Sequence, residues 1–196
     1  RSTLFPYTTL FRSLFIATYL AQATAVSEAT ARGAALVVVD PRRAGAAAKA
    51  DQWLRVRPGT DGALALGLAA VMIAEGRYDR DFIRDWSNGS FLVRADTGRL
   101  LTAADLSAVG SSAHQVAWDR AAGRPVAYDP AAAGFIEPIG DPQLDGSVRC
   151  MARSGPVTCV PAFETYAALC REYPPERVEA ITGVPAAQVV ATARLL

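Results

Sequence analysis

Two short polar segments have the residue types of a nucleotide-binding site. Asp40–Arg42 directly follows the apolar run Ala34–Val39, and Pro58–Asp61 directly precedes the apolar stretch Gly62–Ala74. A carboxylate at the C-terminal end of a buried parallel strand faces the crevice in which such sheets bind ligands, where it can take ribose hydroxyls. A carboxylate beside a glycine turn can accept two hydrogen bonds from adjacent N–H groups, such as the N1 and N2 edge of guanine.

Each segment also has a plainer interpretation, and the residues alone leave it open. Asp40–Arg42 is also typical of a turn that ends a strand, and the glycine-rich phosphate loop expected about 20 residues before such an aspartate is missing. Pro58–Asp61 is also typical of a helix start with Thr60 or Asp61 as the N-cap.

The pattern around these segments predicts alternating helices and strands. Residues 19–31 are rich in alanine and are followed by Gly33, which indicates a helix with a glycine after its end. The β-branched run before Asp40 is typical of a parallel strand that is buried on both faces. We expect a second short strand over residues 53–57, then helices over 62–74 and 79–86.

Beyond residue 89 the pattern changes to hairpins and then back to helices. Three hairpins are predicted, with strands at 91–95 and 99–102, at 116–118 and 125–128, and at 148–152 and 157–160. Residues 130–146 are rich in proline, glycine and aspartate and predict a loop. Helices are predicted over 161–172, 175–182 and 185–196, each with a proline at or near its first position.

The first thirteen residues differ in character from the rest of the chain. Arg1–Ser13 contains no alanine, repeats the tripeptide Thr-Leu-Phe and has no period that predicts a helix or strand. Back-translated, it matches the end of a common short-read sequencing adapter, so we leave it out of the fold prediction. The chain ends at Leu196 inside a helical pattern, and we expect both native termini to lie outside this sequence.

Composition excludes several classes of protein. Twenty basic and 19 acidic residues give a formal charge of +1, which does not support nucleic-acid binding. No apolar run approaches the ~18 residues of a membrane-spanning helix. The cysteines Cys150, Cys159 and Cys170 are odd in number and widely spaced, so we interpret them as structural residues.

Taken together, the two polar segments and their flanks resemble the molybdopterin oxidoreductases of the dimethyl sulfoxide reductase, formate dehydrogenase and nitrate reductase family. The resemblance covers most of residues 14–100 and 161–196. It rests on these stretches: VVVDPR, AD at 50–51, RPGTDGALALG, YDRDFIRDWSNG, LVRADTGRLL and PPERVEAITGVPAAQVVATARLL.

The resemblance implies an α/β fold: a Rossmann-like parallel βα unit with a β-hairpin insertion and C-terminal helices, part of a larger multidomain enzyme. The pattern of elements predicts an α/β unit at 14–89, a hairpin and loop insertion at 90–160 and a truncated helical segment at 161–196, and the resemblance makes the first the unit that binds the guanosine end of the cofactor. The implied cofactor is Mo-bis(molybdopterin guanine dinucleotide). By resemblance, the residues that contact one of its guanosine ends are Asp40, Pro41, Arg42, Gly59, Thr60 and Asp61.

The same resemblance places the reaction centre outside this chain. The family's [4Fe–4S] cysteines and its molybdenum ligand would lie upstream, so we expect no catalytic or metal-ligating residue here and no activity from the chain alone. The expected partners are the pterin cofactor and electron-transfer subunits, with neither nucleic acid nor membrane insertion. We expect a cytoplasmic location, or a periplasmic one if an export signal was lost.

Two rival functions remain at the level of sequence. One is a molybdenum-free electron-transfer or structural subunit of a respiratory complex with the same fold. The other is a nicotinamide-dependent dehydrogenase, which would need G-x-G-x-x-G before the first strand. His114, the only histidine, has no acid or nucleophile near it in sequence, and we interpret it as a loop residue. Trp53, Trp86 and Trp118 are interpreted as packing anchors.

Overall fold

The computed structural model describes residues 9–11 and 20–196, which fold as two units. The first, here called the α/β unit, comprises the described residues up to Tyr78 together with Leu169–Leu196. The second, here called the antiparallel unit, comprises Asp79–Ala168. The domain boundaries at residues 89 and 160 stay predictions.

The described residues form seven α-helices, one 3₁₀ helix (Gly45–Ala48) and nine strands. The helices are α1 (Leu20–Ala31), α2 (Asp61–Ala74), α3 (Arg80–Trp86), α4 (Ala103–Leu106), α5 (Ala162–Arg171), α6 (Pro175–Thr182) and α7 (Ala186–Leu195). The strands are β1 (Thr9–Phe11), β2 (Leu36–Val39), β3 (Gln52–Leu54), β4 (Leu92–Arg94), β5 (Gln115–Asp119), β6 (Arg124–Asp129), β7 (Gly134–Phe135), β8 (Val148–Ala152) and β9 (Gly155–Pro161). None of these helices is long and apolar enough to cross a bilayer.

The α/β unit contains a three-stranded parallel sheet in the order β1-β2-β3. All four residues of β2 are buried, as predicted for an apolar strand covered on both faces. The α/β fold class is confirmed. The sequence-based view that Arg1–Ser13 contains no strand is wrong, because β1 lies within it and pairs with β2. Thr, Leu and Phe are compatible with a strand, and the edge of β2 supplies a backbone partner that no local pattern reveals.

Helices α2, α6 and α7 cover this sheet with an aliphatic core. Its buried members include Val37, Leu54, Leu64 and Val178. Helix α2 approaches α6 closely at Gly67, where a Cβ atom would overlap Cγ2 of Val178. Glycine at position 67 therefore sets the distance between the two helices.

The antiparallel unit contains two three-stranded sheets, in the orders β4-β9-β8 and β5-β6-β7. The second and third predicted hairpins are confirmed as β5–β6 and β8–β9. The first is confirmed only in part: the chain reverses around Asp96–Gly98 and Val93 bridges Leu100, but the only regular strand is β4, which pairs along its length with β9. A turn sequence predicts the reversal, whereas the partner strand lies more than sixty residues away.

Two further expectations for this unit are corrected. The segment at 130–146 contains the short strand β7, because Gly134 and Phe135 pair with the end of β6. Trp86 is 80% exposed at the end of α3 and is not a packing anchor. Helix α3 has no buried residue, so an aromatic side chain on it has no core to enter.

Candidate functional site

The candidate site lies at the C-terminal edge of the parallel sheet, where β2 and β3 end side by side. Val39 is the register partner of Leu54, so the segments that follow the two strands leave the sheet at the same edge. A cavity of about 330 Å³ lies there. Its lining residues are Pro41, Arg55, Val56, Arg57, Pro58, Thr182 and Gly183. Both predicted segments therefore contribute to one cavity, as expected for the end of a parallel sheet.

Asp40 closes the turn after β2. Its side chain is only 8% exposed, and its Oδ1 accepts a hydrogen bond from the backbone N–H of Arg42 at 2.7 Å. Its backbone N–H donates to the carbonyl of Leu54, and its own carbonyl accepts from the indole Nε1 of Trp53 at 2.9 Å. Asp40 therefore lies in a turn that ends the strand, and residues of β3 hold its backbone N–H and carbonyl in place. Its contact with a ribose stays a prediction.

Trp53 is the anchor of this turn. Its indole donates to Asp40, its backbone carbonyl accepts from Nε2 of Gln188 at 2.7 Å, and the guanidinium of Arg43 lies 5.6 Å above its ring. An arginine over an indole face is held by a cation–π interaction. Trp53 was therefore correctly predicted to be a packing residue, and its donor role was missed because it depends on the pairing of β2 with β3.

The turn before α2 has a backbone that favours glycine. Gly59 has a φ of +84°, a left-handed conformation that other residues adopt at a cost. Thr60 occupies the N-cap position, but its hydroxyl donates to the carbonyl of Arg57 at 2.8 Å and does not cap the helix. The prediction that Thr60 or Asp61 is the N-cap residue is confirmed for Thr60. Its backbone, with a φ of −109° and a ψ of 13°, differs from the extended conformation from which side chains usually cap a helix. Asp61 is the first helical residue and is half-buried.

Arg57 is a residue of this site that sequence reasoning missed. Its Nη1 donates to the carbonyls of Ala180 and Ile181, at 3.0 and 3.2 Å, and its backbone N–H donates to the carbonyl of Thr182. These contacts join residues more than 120 positions apart in the chain. No local pattern signals such a contact.

One of the six predicted contact residues lines the cavity, and the other five lie close to lining residues in the chain. Pro41 lines it; Asp40 and Arg42 adjoin Pro41, and Gly59 directly follows the lining residue Pro58. Arg42 and Gly59 are exposed, Thr60 and Asp61 are half-buried, and Asp40 is buried. The charged residues that line the cavity are Arg55 and Arg57.

The other candidate residues lie in the antiparallel unit. His114 precedes β5 in a loop, as predicted. No acid is near it in the sequence, but the fold brings one close, because its Nε2 lies 3.7 Å from Oδ1 of Asp129. Asp129 is fifteen residues further along, and the β5–β6 pairing brings the two together.

The three cysteines are buried and free. Burial raises the pKa of Cys150 to about 12, which leaves this thiol protonated and unreactive at neutral pH. Among the described residues, no group of three or more His, Cys, Asp or Glu side chains could hold a metal ion.

Two larger cavities do not coincide with the predicted residues. One, of about 490 Å³, is lined by α1 and the start of β2, and its walls are mostly apolar. The other, of about 1030 Å³, lies in the antiparallel unit and includes the aromatic rings of Phe91, Tyr128 and Phe135. Neither lies where β2 and β3 end, so size alone does not mark the site.

Comparison with known proteins defines the family. Residues 14–139 match the model of the molybdopterin oxidoreductases, and the chain belongs to this family of oxidoreductases, whose cofactor is a molybdenum pterin. The match begins at Leu14, the first residue after the segment predicted to be adapter-derived; that assignment remains a prediction.

Individual relatives belong to larger enzymes. The chain is 34% identical to the alpha subunit of perchlorate reductase from Dechloromonas aromatica, over 86% of this chain and 21% of that protein. It is 32% identical to the alpha subunit of dimethylsulfide dehydrogenase from Rhodovulum sulfidophilum, over 86% of this chain and 19% of that protein. The chain therefore spans about a fifth of the length of these relatives.

A solved structure supports the same fold. Acetylene hydratase from Pelobacter acetylenicus superposes with a TM-score of 0.54 at 23% identity, over 95% of this chain and 16% of that one. At this identity the likeness concerns the fold alone.

Proposed function

We propose that the segments after β2 and β3 bind the guanosine end of a molybdopterin guanine dinucleotide within a molybdenum oxidoreductase. The observation that carries the proposal is the single cavity at the C-terminal edge of the sheet, to which both Pro41 and Pro58 contribute. Ligands of open parallel sheets bind in this place. Family membership supplies the class of cofactor.

The residues at this edge fit such a group. The N-cap residue Thr60 makes no side-chain cap bond to α2, and the backbone N–H groups at a helix start favour a polar or anionic ligand. Arg55 lines the cavity, Arg42 and Arg43 follow the lining residue Pro41, and these three exposed arginines could meet phosphates. In this proposal the carboxylate of Asp61 accepts hydrogen bonds from guanine N1–H and N2–H, while the carboxylate of Asp40 accepts hydrogen bonds from the ribose hydroxyls.

This chain's share of the reaction is binding and orientation. When bound, the molybdenum pterin supplies two-electron chemistry, whereas the residues here hold its distal end. The bis(guanine dinucleotide) form and an upstream [4Fe–4S] cluster belong to the same proposal. Because both relatives are single subunits of larger assemblies, electron-transfer partner subunits are proposed for the whole protein as well.

The proposal is tested by titrating the 196-residue chain with GDP and with CDP, following amide NMR signals. We expect GDP to shift signals of residues 40–43 and 58–61 and to bind more tightly than CDP. Asp61→Asn replaces one acceptor by a donor and leaves a guanine N–H unpaired, at a cost of ~1–3 kcal/mol. It should therefore weaken GDP binding about tenfold or more and reduce the preference for guanine.

Two further variants separate the roles. Asp40→Asn should weaken both nucleotides without altering the base preference, since the ribose is common to them. Glu176→Gln is the matched control, because Glu176 is likewise a carboxylate in the first turn of a helix of the α/β unit. In the full-length enzyme, Asp61→Asn should lower molybdenum and guanine nucleotide content while the fold is kept. If Asp61→Asn left the GDP affinity and the base preference unchanged, the Pro58–Asp61 turn would be only the start of a helix, without a role in nucleotide binding.

A further inference from the structure

We propose that Arg57 is a positioning residue for this nucleotide site. It fastens the Pro58–Asp61 turn to the C-terminal end of α6 and thereby makes Thr182 and Gly183 a third wall of the cavity. The inference rests on the proposed function, which it extends to residues far away in the sequence.

The first part of the argument is how Arg57 holds α6. Its side chain and backbone donate to three consecutive carbonyls, those of Ala180, Ile181 and Thr182. The last carbonyls of a helix have no partner within the helix and carry its partial negative charge. A guanidinium satisfies the hydrogen bonding and the charge together.

The second part is how Arg57 holds the turn. Its carbonyl accepts from the backbone N–H of Thr60 at 3.2 Å and from the Thr60 hydroxyl at 2.8 Å. The turn is thus closed onto the backbone of Arg57, and Asp61 is the next residue. A displacement of Arg57 is therefore passed directly to the carboxylate proposed to recognise guanine.

The third part is how Arg57, which itself lines the cavity, fixes the wall at Gly183 relative to the turn. Its guanidinium already donates to two helix carbonyls, and a Cβ built at Gly183 would lie 3.5 Å from its Nε. The side chain therefore lies along the backbone of Gly183, which has a φ of +77° at the end of α6. Pro41 and Pro58 line the same cavity from the ends of the two strands. Arg57 thus fixes the wall at Gly183 relative to the turn that carries Asp61.

The test compares Arg57→Ala with a matched control, Arg77→Ala. Nη2 of Arg77 donates to the carbonyl of Arg194 in the last turn of α7, so it is also an exposed arginine that caps a helix of the same unit. We expect both variants to lose a similar, small amount of thermal stability. Only Arg57→Ala should weaken GDP binding, about tenfold, and reduce the preference for GDP over CDP. Arg57→Lys should recover part of the affinity, since a lysine can still donate to one carbonyl.

The outcomes distinguish this inference from the proposed function. If the unaltered chain binds GDP and Arg57→Ala binds it with the same affinity and base preference, Arg57 is only a helix cap and the inference is overturned. An equal loss in Arg77→Ala would overturn it too. If the unaltered chain binds no GDP, the proposed function fails, and the positioning of the turn is judged by amide NMR. In that case, unchanged signals of residues 59–61 in Arg57→Ala would overturn the positioning role itself.

Discussion

The two units of the chain are stabilised in different ways. The α/β unit has a continuous core of aliphatic side chains, including Val37, Leu54, Leu64 and Val178, contributed by its sheet and three helices. The antiparallel unit has a smaller core, and most of the ion pairs among the described residues lie in it. Short strands with long connecting loops bury little apolar surface. Side chains that form hydrogen bonds and ion pairs with these loops therefore contribute a larger share of the stability of the antiparallel unit.

Arg94 is the centre of one such group in the antiparallel unit. Its side chain is 13% exposed and contacts Asp96 and Asp105, each at 2.8 Å. Asp105 also accepts from the backbone N–H and the hydroxyl of Thr102, which closes a capping box at the start of α4. Burial alone would raise the pKa of Asp105, but the bonds from Thr102 and the charge of Arg94 lower it.

Asp119 orders two connections of the same unit at once. Its carboxylate is buried and accepts from the backbone N–H groups of Ala121, Ala122, Gly140 and Asp141, at 3.0 to 3.3 Å. The bond from Gly140 is the largest of the effects that lower the pKa of Asp119. One ionised side chain thus replaces the regular hydrogen bonding that a longer ladder would supply.

Acid should therefore affect the antiparallel unit most, and this is the largest effect we expect. The pKa values of Asp105, Asp119 and Asp145 are lowered in the folded chain, the last mainly by a hydrogen bond from Arg80. Groups with a lowered folded pKa contribute stability above their unfolded pKa, about 3.9 for Asp. That contribution is lost as the pH falls through the folded pKa. Amide NMR spectra recorded during acidification should lose the dispersed signals of residues 79–168 first.

Two variants sharpen this prediction. Asp119→Asn should begin with a less stable antiparallel unit and lose less on further acidification, since one of the titrating groups is gone. Glu75→Gln is the control, because the lowered pKa of Glu75 comes mainly from its hydrogen bond with Arg194 in the α/β unit. Simultaneous loss of both units at the same pH in the unaltered chain would contradict the comparison.

A smaller effect is expected from overpacking in the α/β unit. Gly67→Ala places a methyl group against Val178, which is fully buried and stiff at its branched Cβ. We expect a loss of about 1–3 kcal/mol, as is usual for an extra methylene in a packed core. Gly62→Ala, in the same helix but with open space around it, should instead stabilise by about 0.5–1 kcal/mol.

Thermal unfolding of both variants measures the difference. In the double variant Gly67→Ala with Val178→Ala, the destabilisation should be less than the sum of the two single changes, because each relieves the other. If the losses of stability were additive, helices α2 and α6 could move apart at little cost. The view that Gly67 sets the distance between them would then be wrong.

The sequence predicted the elements that local signals define. The buried strand before Asp40 and the helix over 175–182 were located within two residues, because β-branched runs and a proline at the first helical position act locally. The partner of β4 was not predicted. Its ladder with β9 spans a long loop of chain, and nothing in the hairpin sequence at 96–98 indicates a more distant strand.

The candidate site was predictable as two segments but not as an arrangement. Asp40 and Asp61 are recognisable from what precedes and follows them in the chain. The backbone of Asp40 is held by Trp53, which in turn is bonded by Gln188. The turn before Asp61 is held through Arg57, which bonds the end of α6. Those contacts depend on how α6 and α7 pack on the sheet, and helix packing is decided by tertiary structure and not by local pattern.

The smallest change in stability that we expect comes from replacing either of two threonines of the α/β unit by valine, and its sign differs between the two. Thr182 and Thr192 are both fully buried. The hydroxyl of Thr182 donates to the carbonyl of Val178 and accepts from the N–H of Val184, whereas that of Thr192 has no hydrogen-bond partner among the described residues. Because an unpaired buried hydroxyl is costly, Thr192→Val should stabilise the unit by up to about 1 kcal/mol, and Thr182→Val should destabilise it by about as much. Urea unfolding with an unchanged slope measures both. A loss of stability in Thr192→Val would show that the aliphatic core of this unit depends on a polar contact of Thr192. The two units would then differ less in how far polar contacts stabilise them.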